Sequence, residues 1–209
     1  MIEVHHLNNS RSQRVLWMLE ELAVDYNVTR HERDPVTMLA PASLKAVHPL
    51  GKSPVIRDGD QVIAESAVIL EYLTERYGGG KFAPKPGSAA YLPYRYWMHY
   101  AEGTIMQQLL VRLYLTRVGD AAAALLQRVV GAIEMHLDYI ESNLGTKRFL
   151  TGEELTTADV MMSFPLELVA TQGFLKDKRP GLRDLVARYH ERPTYQRALT
   201  RGGPYAYAH

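Results

Sequence analysis

The hydrophobic periodicity of this chain changes once, at a glycine- and proline-rich stretch that covers residues 78–87. Before this stretch, short alternating apolar runs are interleaved with helical patterns, in the order β-α-β-α-β-β-α. After it, the pattern is almost entirely helical. Four glycines and two prolines in ten residues are typical of a linker. We therefore predict an α/β domain over residues 1–80 and an all-α domain over residues 88–209.

The individual elements follow from apolar spacing and from turn residues. In the α/β part we predict strands at 2–7, 26–30, 54–57 and 61–64, and helices at 11–22, 37–47 and 66–77. Asp58-Gly59-Asp60 is predicted to turn the last two strands into a hairpin, and Ser66 to cap the helix that follows. The later helices are predicted at 91–118, 121–144, 156–171 and 182–192.

The charge balance and the missing cysteine exclude several classes of protein. The 24 basic and 23 acidic residues leave a net charge of +1, so no excess positive charge is available for nucleic acid or an anionic membrane. The longest strictly apolar run, residues 121–126, is far shorter than the roughly 20 residues that span a bilayer. Cysteine is absent, which removes disulfides, thiolate metal ligands and an enzyme-borne sulfur nucleophile. Because the first residues also lack signal-peptide features, we expect a cytoplasmic protein without nucleic-acid or membrane partners.

Four short motifs occur in a fixed order along the chain: residues 48–56 (HPLGKSPVI), 65–73 (ESAVILEYL), 156–159 (TTAD) and 192–198 (RPTYQRA). In this order, and across the α/β-then-α layout, they resemble the glutathione S-transferase family over nearly the whole chain. The resemblance implies a thioredoxin-like N-terminal domain that binds glutathione as a co-substrate. It also implies an all-helical C-terminal domain and a homodimer.

The first motif contains Lys52-Ser53-Pro54 at the start of a predicted strand. Proline removes one donor from a sheet, so it belongs at the end or edge of a strand. The resemblance implies a cis bond before Pro54, with the backbone of Ser53 turned outward to pair with the cysteinyl backbone of glutathione. Lys52 would then bind the glycine carboxylate. The alternative is a strand-entry proline beside a solvated lysine.

The second motif begins with Glu65-Ser66 at the start of a predicted helix. The unpaired N–H groups and the positive dipole end of a helix suit an anion, and a serine hydroxyl adds a donor. Ser66 would take the γ-glutamyl carboxylate of glutathione, and Glu65 would take its ammonium group. The alternative is an ordinary N-cap that follows an acidic residue.

The loop after the first predicted strand supplies the candidates for thiol activation. A thiol with a pKa of about 8.5 needs a hydrogen-bond donor and a helix N-terminus to ionise at neutral pH. Ser10 is the first candidate donor, Asn9 the second and Ser12 the third. In serine-type branches of the family the donor lies six residues before a valine like Val15, and that position holds Asn9 here. The alternative is that Ser10 or Ser12 only caps the helix.

Other polar residues favour structural interpretations. Thr156 and Asp159 have the spacing of a capping box, and no histidine or carboxylate spacing indicates a metal site. The helical domain is expected to contribute the pocket for a small hydrophobic electrophile, on the long helix that carries Tyr100, Glu102, Met106, Gln107 and Leu110. The same side chains could equally form core between helices.

The function that these residues favour is that of a glutathione transferase. Its loop would hold the glutathione sulfur as a thiolate, and that sulfur would attack an electrophile without a covalent enzyme intermediate. Two alternatives stay open. One is a non-catalytic glutathione-binding or regulatory protein of the same fold. The other is a glutathione-dependent peroxidase that uses the same thiolate.

Overall fold

A computed structural model describes residues 1–176 and 178–208 and divides the chain into two compact units. The first unit comprises Met1–Ala83 together with the C-terminal stretch from Arg188, and the second comprises Pro84–Ala187. The sequence instead predicts residues 88–209 as one helical domain. The difference arises because the last helix packs on the first one, which is an element of the α/β unit.

The first unit is built on a four-stranded mixed sheet with the strand order β2-β1-β3-β4. Its strands are β1 (Ile2–Leu7), β2 (Tyr26–His31), β3 (Val55–Asp58) and β4 (Gln61–Ala64). β1 pairs in parallel with β2 and antiparallel with β3, which forms the hairpin with β4. With helices α1 (Ser12–Glu21), α2 (Ala42–Val47) and α3 (Ser66–Tyr77), the predicted βαβαββα order is confirmed.

The second unit is helical, as predicted. Its elements are α4 (Tyr91–Tyr100), a π-helical segment (Ala101–Ile105), α5 (Met106–Val118), a 3₁₀ turn (Gly119–Ala122), α6 (Ala123–Leu144) and α7 (Thr157–Thr171). The boundary between the units falls within α8 (Pro180–His190), and α9 (Pro193–Gly202) belongs to the first unit. The capping box at the start of α7 is confirmed, because the Thr156 N–H donates to Asp159 Oδ2 at 3.0 Å.

Several helix boundaries differ from the predicted ones: α8 covers Pro180–His190 rather than 182–192, and α9 has no predicted counterpart. α2 begins only at Ala42, because the Asp34 carboxylate accepts the N–H groups of Val36 and Thr37 and holds a turn there. The predicted helix 91–118 is interrupted by the π-helical segment. Ser66 is the first residue of α3 rather than its N-cap, which is Glu65.

The core of the first unit is formed largely around α1. Trp17 is completely buried, and its ring lies 5.3 Å from each of the Tyr189 and Tyr195 rings. Burial of such aromatic side chains stabilises the unit, and edge-to-face contacts add about 0.5–1.5 kcal/mol each. Within the described ranges, no helix is both long and apolar enough to cross a membrane.

Candidate active site

The three predicted thiol-activating residues lie where β1 leads into α1: Asn9 and Ser10 are in the connecting loop, and Ser12 is the first residue of α1. Ser10 is 5% exposed, and its Oγ accepts the backbone N–H of Ser12 at 3.2 Å. The two serine hydroxyls lie 2.8 Å apart. Ser10 therefore supports the start of α1, and its oxygen lies at the end of the helix where the dipole favours an anion.

Ser12 lies completely buried behind this first hydroxyl. Its Oγ is 2.8 Å from His6 Nδ1 and accepts the Leu7 N–H at 3.3 Å. A second contact of 3.3 Å reaches the Leu7 carbonyl oxygen. A hydroxyl with no exposed surface and several internal partners is not positioned to donate to a ligand itself.

Asn9 has a left-handed backbone conformation with a φ of 49°, which asparagine tolerates better than most residues. Its Oδ1 accepts the backbone N–H of Ala206 at 2.8 Å, so the C-terminal tail fixes the orientation of the amide. This contact uses the acceptor of the side chain and leaves its Nδ2 hydrogens as the remaining donors. Asn9 is half-buried, as a residue at the edge of a site would be.

The loop before β3 contains the expected cis peptide bond between Ser53 and Pro54. The Ser53 hydroxyl donates to the His5 carbonyl oxygen at 3.0 Å, which anchors the loop to β1. Within the described residues, the backbone N–H and C=O of Ser53 form no hydrogen bond with other loop backbone. Pro54 is buried and the Lys52 side chain is exposed.

A single backbone amide joins these two loops. The Leu7 N–H donates to Ser12 Oγ and to Ser53 Oγ, each at 3.3 Å. Because both serines share this donor at the end of β1, the first loop and the cis-proline loop are held beside each other. The structure thus brings together residues that lie 46 positions apart in the sequence.

The start of α3 presents the remaining predicted residues. Ser66 is 5% exposed and lies at the first helical position, where backbone N–H groups have no partner within the helix. Glu65 has a φ of 72°, a strained conformation of the kind that concentrates at functional sites. The Glu65 and Lys52 side chains are exposed, and neither forms an ion pair within the described part of the chain.

The histidines behind the first loop are held neutral. Burial, then the positive charge of Arg30, lowers the pKa of His6 from 6.5 to about 4. Burial also lowers the pKa of His5 and of His31, whose rings meet through a 3.2 Å contact between Nδ1 and Nε2. At neutral pH, His6 therefore faces Ser12 as an uncharged imidazole that can donate or accept at Nδ1.

Two contacts of this site could not be foreseen from the sequence. Nothing in the spacing of His6 and Ser12 indicates that they meet. The contact of Asn9 with Ala206 spans 197 residues. Among the residues that the structure describes, no three His, Asp or Glu side chains form a group that could hold a metal ion.

The second unit contains an open groove of about 910 Å³ between α4 and α6. Aromatic side chains dominate it, and Tyr100 Oη lies 2.7 Å from His136 Nδ1. Of the residues predicted to line the electrophile pocket, Tyr100 and Met106 are buried in this unit, whereas Gln107 is exposed. Met106 thus contributes to the helical core, as the alternative interpretation predicts, whereas Tyr100, although buried, also lines the groove.

Comparison with known proteins gives matches along most of the chain. Two family models match it: "Glutathione S-transferase, N-terminal domain" over residues 10–76, and "Glutathione S-transferase, C-terminal domain" over residues 123–192. Glutathione S-transferase 3 of Schizosaccharomyces pombe is 35% identical over 192 residues, which cover 85% of this chain and 78% of that protein. Glutathione S-transferase 1 of Saccharomyces cerevisiae is 27% identical over 195 residues, which cover 83% of this chain and 83% of that protein.

Solved structures agree in fold and in sequence. The crystal structure of a glutathione S-transferase from Actinobacillus pleuropneumoniae superposes with a TM-score of 0.87 at 32% identity, covering 97% of this chain and 93% of that one. A glutathione transferase family member from Pseudomonas fluorescens, solved with two glutathione bound, has a TM-score of 0.79 at 25% identity and covers 95% and 92% of the two chains. The chain described here therefore belongs to the glutathione S-transferase family.

Proposed function

We propose that this protein is a glutathione transferase that binds glutathione on its first unit and activates the thiol at the loop between β1 and α1. The observation that carries the proposal is the Leu7 amide, which holds the Ser10–Ser12 hydroxyl pair beside the cis-proline loop. Hydroxyl donors at a helix N-terminus stabilise an anion, and an adjacent unpaired backbone segment suits an extended peptide.

The binding roles follow from the chemistry of the tripeptide. The Ser53 backbone would pair with the cysteinyl unit, and the exposed Lys52 ammonium would bind the glycine carboxylate. At the start of α3, the Ser66 hydroxyl and the helix N–H groups would bind the γ-glutamyl carboxylate. The exposed Glu65 carboxylate would bind the γ-glutamyl ammonium group.

In the proposed reaction, Ser10 donates a hydrogen bond to the glutathione sulfur, with the Asn9 amide as the second candidate donor. The thiol proton passes to solvent, and the sulfur uses its lone pair to form a bond to the electrophilic carbon. The leaving group departs with the bonding electrons, or an epoxide oxygen takes up a proton as its ring opens. The enzyme positions the sulfur and stabilises its charge, and forms no covalent bond itself.

The finer aspects of this function are also proposals. A small hydrophobic electrophile is the second substrate, the helical unit contributes to its pocket, and detoxification in the cytoplasm is the role. We further propose a homodimer in which the groove between α4 and α6 faces a second copy. Leu92 and Met135 at this groove are 76% and 62% exposed, and large apolar side chains clustered on one face are typical of an interface.

Steady-state assays of the purified protein with glutathione test the activity. The panel consists of aryl halides, epoxides and hydroperoxides, each compared with the uncatalysed rate. Conjugation of an aryl halide or epoxide is the expected result. Reduction of hydroperoxides alone would favour the peroxidase alternative. Glutathione binding by calorimetry without turnover of any class would favour the non-catalytic alternative.

A further inference from the structure

The hydroxyls of Ser10 and Ser12 and the imidazole of His6 form a continuous buried chain of hydrogen-bonding groups. Both links, Ser10 Oγ to Ser12 Oγ and Ser12 Oγ to His6 Nδ1, are 2.8 Å long. Ser10 is 5% exposed, His6 is 3% exposed and Ser12 is completely buried. These groups are almost entirely buried, so we expect their protons to be shared among themselves and with the adjacent Leu7 backbone.

Ser12 Oγ can donate its one proton to His6 Nδ1, to Ser10 Oγ or to the Leu7 carbonyl oxygen, and the contacts with His6 and Ser10, at 2.8 Å, are shorter than the 3.3 Å contact with Leu7. The two short contacts give two proton arrangements. Ser12 Oγ accepts the Leu7 N–H in both, which leaves it one further acceptor site and one proton. In the closed arrangement, Ser10 donates to Ser12 and Ser12 donates to His6 Nδ1, so the Ser10 proton is used internally. In the open arrangement, His6 Nδ1–H donates to Ser12 and Ser12 donates to Ser10. The Ser10 oxygen then accepts from Ser12 twice, through hydroxyl and amide, and its own proton is free.

We propose that His6 is a positioning residue for thiol activation: by donating from Nδ1 to Ser12, it turns the hydroxyl chain so that the Ser10 proton points to the glutathione sulfur. This inference rests on the proposed function, in particular on Ser10 as the donor. Ser12 connects His6 to Ser10 through its hydroxyl group. Hydrogen bonds aligned in one direction polarise one another, so the aligned chain makes Ser10 a stronger donor to the thiolate.

The surroundings of His6 are consistent with its role as a positioning residue. Burial, with a smaller contribution from the positive charge of Arg30 on β2, lowers the pKa of His6 and keeps its ring neutral at neutral pH. From α1, the uncharged Gln13 lies nearby, and from α9 the backbone of Gly202 approaches so closely that a Cβ there would lie 3.4 Å from His6 Cε1. A neutral imidazole can carry its proton at either nitrogen, so it can adopt the tautomer that a bound thiolate favours.

The experiment measures the pKa of the thiol of bound glutathione, from thiolate absorbance against pH, in the full-length protein and its variants. His6→Leu removes the Nδ1 donor, and we expect the thiol pKa to rise towards the value in Ser10→Ala. Glutathione affinity at low pH, where the thiol is protonated, should change by less than about threefold, because His6 is only 3% exposed. His6→Asn returns an amide donor near the Nδ1 position and should restore a thiol pKa close to that of the parent.

His5→Leu is the matched control, since His5 precedes His6 on β1 and is 5% exposed, but its ring contacts His31 rather than the serines. Its thiol pKa should equal that of the parent. If His6→Leu does not fold, His6→Gln takes its place, because its amide reaches the Nε2 position and leaves Nδ1 empty. His6→Gln should then raise the thiol pKa and His6→Asn should not.

The possible failures are distinguishable. The role of His6 would be overturned if the thiol pKa rose in Ser10→Ala but stayed parent-like in His6→Leu. Equal thiol pKa values in His6→Gln and His6→Asn would overturn it as well. Either outcome would leave the proposed function intact. A parent-like thiol pKa in Ser10→Ala would overturn both Ser10 as donor and the hydroxyl chain. A rise in His5→Leu as large as in His6→Leu would also overturn the inference, because the effect would then be a general response of the strand.

Discussion

Glu21 and Arg192 form a two-pronged ion pair, although 171 residues separate them in the sequence. Arg192 Nε donates to Glu21 Oε1 at 2.6 Å, and its terminal nitrogen donates to Oε2 at 2.8 Å. Trp17 Nε1 donates to the same carboxylate at 2.8 Å, and Thr194 Oγ1 adds a further bond. The carboxylate at the end of α1 therefore fixes the start of α9, which is why the C-terminal stretch belongs to the first unit.

Replacing this carboxylate should destabilise the first unit strongly. The Glu21 side chain is 4% exposed, so Glu21→Ala removes a buried carboxylate that accepts from both the Arg192 guanidinium and the Trp17 N–H. The Arg192 side chain is 30% exposed, so water partly solvates the charge that remains, and we expect a loss of about 1.5–3 kcal/mol in urea unfolding. Glu32→Ala, at an exposed position, is the control and should change the free energy of unfolding by about 0.5 kcal/mol or less. A loss below about 1 kcal/mol in Glu21→Ala would contradict this account.

The buried histidines should make the protein less stable in acid. Burial, with a smaller contribution from Arg30, lowers the pKa of His6 from 6.5 to about 4, so between these values the unfolded chain binds a proton that the folded protein does not. The stability that neutral His6 contributes is present above pH 6.5 and is lost as the pH falls towards 4. The full loss is on the order of 3 kcal/mol.

Urea unfolding at pH 7.5 and at pH 4.5 measures this loss. His6→Gln carries no titrating group and should show a smaller difference between the two pH values. The control is His48→Gln in a half-buried loop position, which should keep the difference of the parent. Equal differences in His6→Gln and the parent would mean that His6 is not held neutral by the fold.

Glutathione affinity should depend on the start of α3. Glu65→Ala and Ser66→Ala each remove one partner of a charged hydrogen bond, which costs about 1.5–3 kcal/mol, so binding should weaken roughly tenfold or more. Isothermal calorimetry at fixed pH measures the change. Glu75→Ala, on an exposed turn of the same helix, should bind like the parent. We would abandon the γ-glutamyl site if both Glu65→Ala and Ser66→Ala bound glutathione with parental affinity.

A variant at Asn9 distinguishes the two candidate thiol donors. Asn9→Gly removes the amide while glycine accepts the φ of 49° without strain. If Ser10 is the donor, kcat/KM against pH should shift to higher pH in Ser10→Ala and stay close to the parent in Asn9→Gly. The reverse pattern would identify the Asn9 amide as the donor. A shift in neither variant would leave the helix dipole or a backbone N–H as the activating group.

The exposed groove of the second unit should determine the oligomeric state. Static light scattering of the parent should give about twice the chain mass of 23.6 kDa. The double variant Leu92→Glu with Met135→Glu places two charges at the groove and should give the mass of a single chain. Val36→Glu, at a side chain that is 88% exposed in the first unit, is the control and should stay dimeric. A monomeric parent would contradict the proposed dimer.

The sequence by itself determined the order and type of most elements. Periodicity, turn residues and caps act over fewer than ten residues, so the βαβαββα order and the Thr156–Asp159 capping box could be read from local spacing. The cis bond before Pro54 was predicted from the resemblance to the glutathione S-transferase family, and the structure contains it. The start of α2 was misplaced because the Asp34 side chain competes with the helix, and spacing of apolar residues does not register that competition.

Only the tertiary structure decided which polar groups meet. The partner of Asn9 is a backbone amide at Ala206, and the partner of Glu21 is Arg192, so both depend on how the C-terminal stretch packs on α1. The contact of Ser12 with His6 requires the end of β1 and the start of α1 to converge at a set angle. Burial then gives these few contacts their energetic weight, because a buried polar group must find its partner within the fold. That choice of partner depends on the packing of distant segments, which local sequence patterns do not encode.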